Sequence, residues 1–178
     1  MPQATPTPRR KAASAPIALP GAKQRLFAWS KLVRPGHSGF TDLFAMPSLD
    51  RADLVKKGAP SDMVGVISRE MDISKERFVR IVGLPRATVT RKIASKTDLS
   101  ADESERLVGL AKLIGQVEAM VKESGAPAGF KPAKWFGEWI ALPVPALGGR
   151  KPEEFLDTSD GREAIGKLLA QMQSGAYA

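Results

Sequence analysis

An all-α fold is predicted by three features of the 178-residue sequence. Apolar residues cluster at spacings of three and four, and the clusters are opened by capping residues and closed by glycine. The longest cluster, Leu107, Leu110, Ile114, Val117 and Val121, stands behind the capping-box pattern Ser100-Ala-Asp-Glu103, in which hydroxyl and carboxylate satisfy each other's orphan amides. No strand-like alternation of any length occurs.

Taken in order, residues 1–22 are rich in Pro, Ala and Thr and short of large apolar groups, so they are expected to form a disordered basic arm. Residues 23–47 are a poorly defined extension, with an apolar cluster of Leu26, Phe27, Trp29, Leu32 and Val33 fit for a turn or two of helix before Pro35-Gly36. Organised structure is expected from Ser48, which is placed as a cap ahead of Leu49, Leu54 and Val55, with Gly58 as the stop. Pro60-Ser61-Asp62 opens a second helix through Met63, Val64, Ile67 and Met71. Ser74 caps a third, with Phe78, Val79 and Val82 inward and Gly83 as breaker. Pro85 suits the first position of a fourth helix, where its missing N–H costs nothing, and Val89 and Ile93 mark that helix's buried face to about Ala94. The capping-box helix runs to Gly125. Beyond the linker 125–129, Trp135, Phe136, Trp139 and Ile140 share helical spacing, two or three of them as core. A proline-glycine loop, Pro143–Arg150, leads to a short helix opened by Pro152 and a final helix capped by Asp157 or Ser159.

Charge divides the chain. Its net charge is +8, and every charged residue before Asp42 is basic: Arg9, Arg10, Lys11, Lys23, Arg25, Lys31 and Arg34. From Lys131 onward six basic residues meet six acidic ones, leaving an aromatic, neutral segment of the kind that meets protein rather than nucleic acid. With no cysteine and one loop histidine, His37, the sequence has no material for thiolate chemistry, a histidine-based triad or a metal site. It also lacks a phosphate-cradling glycine fingerprint, so an enzyme is not expected and no cofactor is called for. No apolar run reaches the ~20 residues of a membrane span, and the start lacks the apolar stretch of a signal peptide. It is read as a flexible arm rather than an organellar transit peptide, and a reducing cytoplasm is the expected compartment.

Between Ser74 and Lys96, Lys75, Arg77, Arg80, Arg86, Arg91, Lys92 and Lys96 stand against Glu76 alone, a local net of +6 on a short helix, a glycine turn and a second short helix. That is the helix-turn-helix pattern with charge suited to DNA. With Val89 and Ile93 inward, Arg86, Thr88, Thr90 and Arg91 fall on the outer face of the second helix. Arginine grips guanine with two donors, and threonine offers a hydroxyl and a methyl for thymine. Lys92 and Lys96 suit phosphate contacts that hold register. An ordinary solvated helical face is the alternative.

The C-terminal part carries an ordered string: Trp139, Pro143, Pro145–Arg150, Pro152, Glu154, Leu156–Thr158, Gly161–Glu163, Leu168, Leu169, Gly175, Tyr177 and Ala178. On these residues the chain resembles the Xre/MbcA/ParS antitoxins of type II toxin–antitoxin pairs. GLPRATVTRKIASKTDLSADESERLVGLAKLI is similar to the Xre-like helix-turn-helix of the same family. The resemblance covers about residues 48–178 and implies an Xre-like helix-turn-helix domain at 48–125, followed by a small helical toxin-binding domain at 130–178. It further implies a RES-domain toxin as partner, one that uses NAD by degrading it or by transferring ADP-ribose. The antitoxin's C-terminal domain would block that toxin's NAD-binding cleft. A non-enzymatic antitoxin, a homodimer within a larger complex and binding to its own operator DNA complete the implication. Leu84-Pro85 departs from the small polar residue more common before the reader helix in that family.

For the toxin contact, Leu147, Gly148, Gly149, Arg150, Asp157 and Tyr177 are the expected residues. Arg150 would pair with an acidic residue and Tyr177 would serve as aromatic anchor. Arg150 and Asp157 could equally cap helices within the domain, and Leu147, Phe155, Leu168 and Leu169 suit its core. The competing reading is a stand-alone dimeric helix-turn-helix transcription regulator.

Overall fold

Where helices start and stop in this chain is decided mainly by caps and by glycines in left-handed conformations. The computed structural model describes Trp29 and residues 39–125, 127 and 129–174. The basic arm, His37, Tyr177 and the apolar cluster before Pro35 apart from Trp29 lie outside the described residues. Trp29 packs against the core.

The described helices run α1 (Gly39–Ala45), α2 (Ser48–Lys57), α3 (Met63–Glu70), α4 (Lys75–Ile81), α5 (Arg86–Ser95), α6 (Ala101–Ser124), α7 (Pro132–Trp139) and α8 (Ser159–Ser174). Short 3-10 turns occupy Pro145–Leu147 and Pro152–Phe155. The fold is all-α, as predicted. None of the described helices is long and apolar enough to cross a membrane.

The spine is α6, 24 residues and so about 36 Å long. Its capping box is formed: Ser100 Oγ accepts from Glu103 N–H at 3.3 Å, and Glu103 Oε2 accepts from Ser100 N–H at 2.7 Å. Gly125 closes it at φ 72. Leu107, Leu110, Ile114 and Val117 are buried as the spacing predicted, and Val121 packs at the margin. Around this spine stand α1, α2, α7 and α8. Contact with α1 is backbone-close: a Cβ on Gly115 would sit 1.9 Å from the Phe40 carbonyl oxygen. A Cβ on Gly137 would likewise meet the Met71 carbonyl at 2.3 Å, which seats α7 on the end of α3.

Five expectations are corrected. Organised structure begins before Ser48, because Phe40 and Leu43 of α1 are buried on α6. Ser48 is the first residue of α2 rather than its cap; Pro47 holds the cap position without a side-chain hydrogen bond. Leu54 goes inward, but Leu49 is 80% exposed, since it lies on the opposite side of the helix. Pro85 is the cap of α5, not its first helical residue. The final helix is capped by Thr158, whose Oγ1 accepts from Gly161 N–H at 3.1 Å, and not by Asp157 or Ser159. A Cβ on Gly161 would clash with the Phe155 carbonyl at 1.9 Å, so this turn is tight as well as capped.

The two regions expected at 48–125 and 130–178 share one continuous core, in which Ile165 and Leu169 of α8 join the same cluster as Phe78 of α4. Polar links reinforce the seam. Arg162 is 5% exposed and forks both nitrogens, one to Glu105 at 2.6 Å and one to the Leu156 carbonyl at 3.0 Å. Gly109 leaves room for it: a Cβ there would stand 2.5 Å from Arg162 Nε. Gln116 donates to the Gly166 carbonyl at 2.8 Å. Among the described residues, no buried side-chain nitrogen or oxygen lacks a partner, as a well-packed interior requires.

Candidate functional site: the basic hairpin and the proline-glycine loop

The basic hairpin is built by a cap, a left-handed glycine and a buried leucine. Ser74 Oγ accepts from Arg77 N–H at 3.1 Å and starts α4. Gly83, at φ 70, turns the chain, and Leu84, 6% exposed, donates its N–H back to the Val79 carbonyl at 2.9 Å. Leucine before Pro85 thus anchors the turn in the core. The segment entering α6 locks the domain from behind: Leu99 N–H donates to the Ala59 carbonyl at 2.8 Å, and Ala59 N–H donates to the buried Ser104 hydroxyl at 2.8 Å.

On α5, Val89 is buried and Ile93 half-buried, which turns Arg86, Thr90 and Arg91 to solvent and leaves Thr88 at the margin. Thr90 Oγ1 donates to the Arg86 carbonyl at 2.9 Å, keeping its methyl and an acceptor lone pair outward. Lys96 is exposed at the left-handed C-cap, φ 52. Lys92 is placed otherwise. Its ammonium meets Glu103 Oε2 at 2.5 Å, with the two side chains 18% and 6% exposed. Lying one turn from Val89 on the inward flank, it ties α5 to the cap of α6 rather than facing outward. Burial pushes the Glu103 carboxyl up, but the hydrogen bonds from Lys92 and Ser100 outweigh it and leave Glu103 below its usual range.

Arg77 is also engaged, with Glu153. Six excess charges in the hairpin, less these two neutralised from outside it, leave four. Lys75, Arg80, Arg86, Arg91 and Lys96 remain exposed, with no ion pair among the described residues.

The proline-glycine loop closes on itself. Val144 is its buried root: Val144 N–H donates to the Arg150 carbonyl at 3.0 Å, and its own carbonyl accepts from Leu147 and Gly149 at 3.0 and 3.1 Å. Gly148 and Gly149 have φ of 66 and 79 with nothing within 4 Å of a Cβ, so glycine is required here by conformation and not by space. Leu147 is half-buried against the core. Arg150 stays 57% exposed while its Nε donates to Glu154 at 3.0 Å and its guanidinium lies 4.3 Å over the Phe155 ring. The Lys151 backbone N–H and then Arg150 hold the Glu154 carboxyl below its usual range. Asp157 is exposed at the far end, beside Gly83. The loop and Asp157 are therefore on the surface, and sequence reasoning missed their neighbour Leu142, 57% exposed ahead of Pro143. In the sequence it stands out only as part of the apolar stretch that Pro143 and Pro145 break. The interdomain pairings of Arg77, Arg106 and Arg162 were missed too, since a single sequence does not tell which distant carboxylate or carbonyl an arginine meets.

Known proteins match this division of the chain. Residues 50–112 match the antitoxin Xre-like helix-turn-helix domain, and residues 126–175 match the antitoxin Xre/MbcA/ParS C-terminal toxin-binding domain. The chain is similar to a Prs ADP-ribosylating antitoxin of Sphingobium sp., with 42% identity over 137 residues that cover 76% of this chain and 86% of that protein. It is also similar to an antitoxin Xre of Yersinia enterocolitica, 26% identical over 125 residues (70% and 79%). A second antitoxin Xre, from Photorhabdus laumondii, is 23% identical over 122 residues (68% and 77%). All three relatives are named as antitoxins. The chain belongs to the Xre/MbcA/ParS family and is an antitoxin of a toxin–antitoxin system, with a helix-turn-helix domain followed by a toxin-binding domain.

Proposed function

We propose that the chain neutralises a RES-domain toxin that uses NAD, covering that toxin's active site with its C-terminal domain, and that it represses its own operon through α5 in the cytoplasm. The toxin contact is assigned to Leu147, Gly148, Gly149, Arg150 and Asp157, with Leu142 added and Tyr177 as the aromatic anchor. One observation carries the reading: within the matched toxin-binding domain, a loop closed by its own backbone hydrogen bonds exposes two glycines and Arg150, with Leu142 exposed just before it. An arginine already held in place loses little entropy on docking, and an exposed apolar side chain gains by being buried. For DNA, Arg86, Thr88, Thr90 and Arg91 are assigned to base edges and Lys96 to phosphate. Lys92, spent on Glu103, is left to hold the reader helix.

A homodimer through α2 completes the proposal. Leu49 is exposed on a helix that carries Asp50 and Asp53 ahead of Lys56 and Lys57 in its last turn. Two such helices laid antiparallel match acid to base on both sides, the self-complementarity that a two-fold contact requires. Beside them a groove of about 760 Å³, walled by Ala52, Val55, Gly109 and Gly166, has room for the partner's Leu49. Light scattering tests this: Leu49→Glu should halve the mass, and an unchanged mass removes α2 as the contact.

The function is tested by expressing the adjacent reading frame in bacteria with and without this chain while measuring growth and cellular NAD. Rescue that disappears on deleting residues 130–178 supports the reading. Toxicity without NAD loss or ADP-ribosylated protein replaces the RES assignment with another toxin class.

A further inference from the structure

Arg77 sits one turn before Arg80 on the first helix of the hairpin, yet it is absent from the exposed cations. Its Nε and Nη2 both donate to Glu153 Oε2, at 3.2 and 2.8 Å. Glu153 belongs to the second 3-10 turn of the toxin-binding domain, 76 positions later. The same segment is seated on the hairpin's turn: Arg106 Nη1 donates to the Gly83 carbonyl at 3.0 Å and to the Asp157 carbonyl at 3.2 Å. A Cβ on Gly83 would meet Asp157 Cβ at 2.9 Å.

We propose that Arg77 is a phosphate-binding cation of the DNA-facing surface, held in reserve by Glu153. This rests on the DNA reading above. Comparison with Lys92, the other paired cation of the hairpin, explains why. Glu103 is almost fully buried and also caps α6, so its pair with Lys92 is part of the fold. Glu153 has no second task of that kind: among the described residues its carboxylate accepts only from Arg77, while neighbouring Glu154 does the capping. At 29% exposure the Arg77 side chain reaches solvent and can turn to a phosphate. Glu153, 18% exposed, needs a partner of its own once the pair opens, which a protein docked on the toxin-binding domain would supply. A guanidinium on the N-terminal half of the hairpin's first helix is placed to grip a phosphate with two donors, as it now grips the carboxylate. Because Glu153 lies in the toxin-binding domain, a protein that engages it changes the charge presented to DNA.

The test is fluorescence anisotropy of the full chain on two labelled duplexes, the stretch preceding its own reading frame and a scrambled version, from 50 to 200 mM salt. Glu153→Gln should bind both duplexes more tightly than the wild type. One added phosphate contact steepens the log–log salt dependence by about 0.9, so the advantage should shrink about threefold across that range. The double variant Arg77→Gln/Glu153→Gln should return to wild-type affinity and slope. Arg77→Lys, which keeps both charges but loses the fork, should shift in the same direction as Glu153→Gln by less. Binding by Glu153→Gln alone, with none by the wild type, supports a complete mask. Equal affinity and slope in wild type and Glu153→Gln overturns the role of Glu153 and leaves the DNA reading standing. Failure of both to bind at 50 mM removes the DNA reading and the mask together.

Discussion

The hairpin and the proline-glycine loop present their arginines in opposite ways. On α5, Arg86 and Arg91 stand exposed without an ion pair among the described residues, on a helix whose geometry is fixed by Val89 beneath it. In the loop, Arg150 is held by Glu154 and laid over Phe155 before any partner arrives, and apolar Leu142 is exposed just ahead of the loop. The first surface attracts by field, so its affinity should fall steeply with salt. The second offers shape and a pre-arranged fork, so its affinity should depend on salt weakly. A single core built on α6 carries both, which means the two can be damaged separately at the surface but only together at the seam.

The largest expected effect is at that seam. Arg162→Ala removes a buried guanidinium that satisfies Glu105 and the Leu156 carbonyl, and Glu105, 47% exposed, is then left half in water. A loss of about 2 kcal/mol follows, with a fall of about 5 °C in the thermal midpoint and impairment of both surfaces. Retention of the midpoint would mean the halves are not joined through this residue. Gly109→Ala should act in the same direction through the space Arg162 needs.

Next in size are the variants that separate the surfaces. Gly149→Val forces a β-branched residue to φ 79, at a cost of about 1–2 kcal/mol, and should abolish toxin rescue while leaving DNA affinity within about twofold. Arg91→Ala should do the reverse, costing about 1–3 kcal/mol of operator binding with rescue unchanged. Loss of both activities in either variant would break the comparison.

Much of this architecture was legible before the structure. The Ser100–Glu103 box, Ser74, Gly83 and Gly125 encode their helix ends through local backbone chemistry, which a single sequence carries in full. What was not legible is long-range. Gly39–Ala45 fell within the poorly defined extension because its burial depends on Gly115, some seventy residues later. Leu49 groups with Leu54 and Val55 in the sequence because apolar character does not say which side of a short helix a neighbour covers. Lys92 looked like a phosphate contact because its charge was visible and Glu103 was already assigned to the cap. The proline-glycine loop was placed correctly on the surface, and its resemblance to a family supplied what residue chemistry alone did not.

The smallest expected effect is in pH dependence, where two glutamates of α6 differ in sign. Glu103 is lowered, so its contribution is present above the usual glutamate range and is lost as pH falls through its depressed value. Glu118 is raised by burial, against hydrogen bonds from Thr41 N–H and Oγ1 at 3.1 and 3.0 Å. Its contribution is greatest at low pH and declines as pH rises through the ordinary glutamate range to its raised value. Urea titrations from pH 3 to 7 should therefore show Glu103→Gln losing most of its destabilisation below about pH 4 and Glu118→Gln gaining relative stability toward pH 7. The same sign for both variants would mean that the pairing of Glu103 by Lys92 is not formed in solution.

The most direct test of separable surfaces is to express the cognate toxin with the wild type, Gly149→Val or Arg91→Ala, measuring growth and operon transcription in the same cultures. The predicted result is that Gly149→Val fails to rescue, and that Arg91→Ala rescues but derepresses the operon. Rescue by Gly149→Val, or loss of rescue in a folded Arg91→Ala, would contradict the assignment of toxin to the loop and DNA to the hairpin.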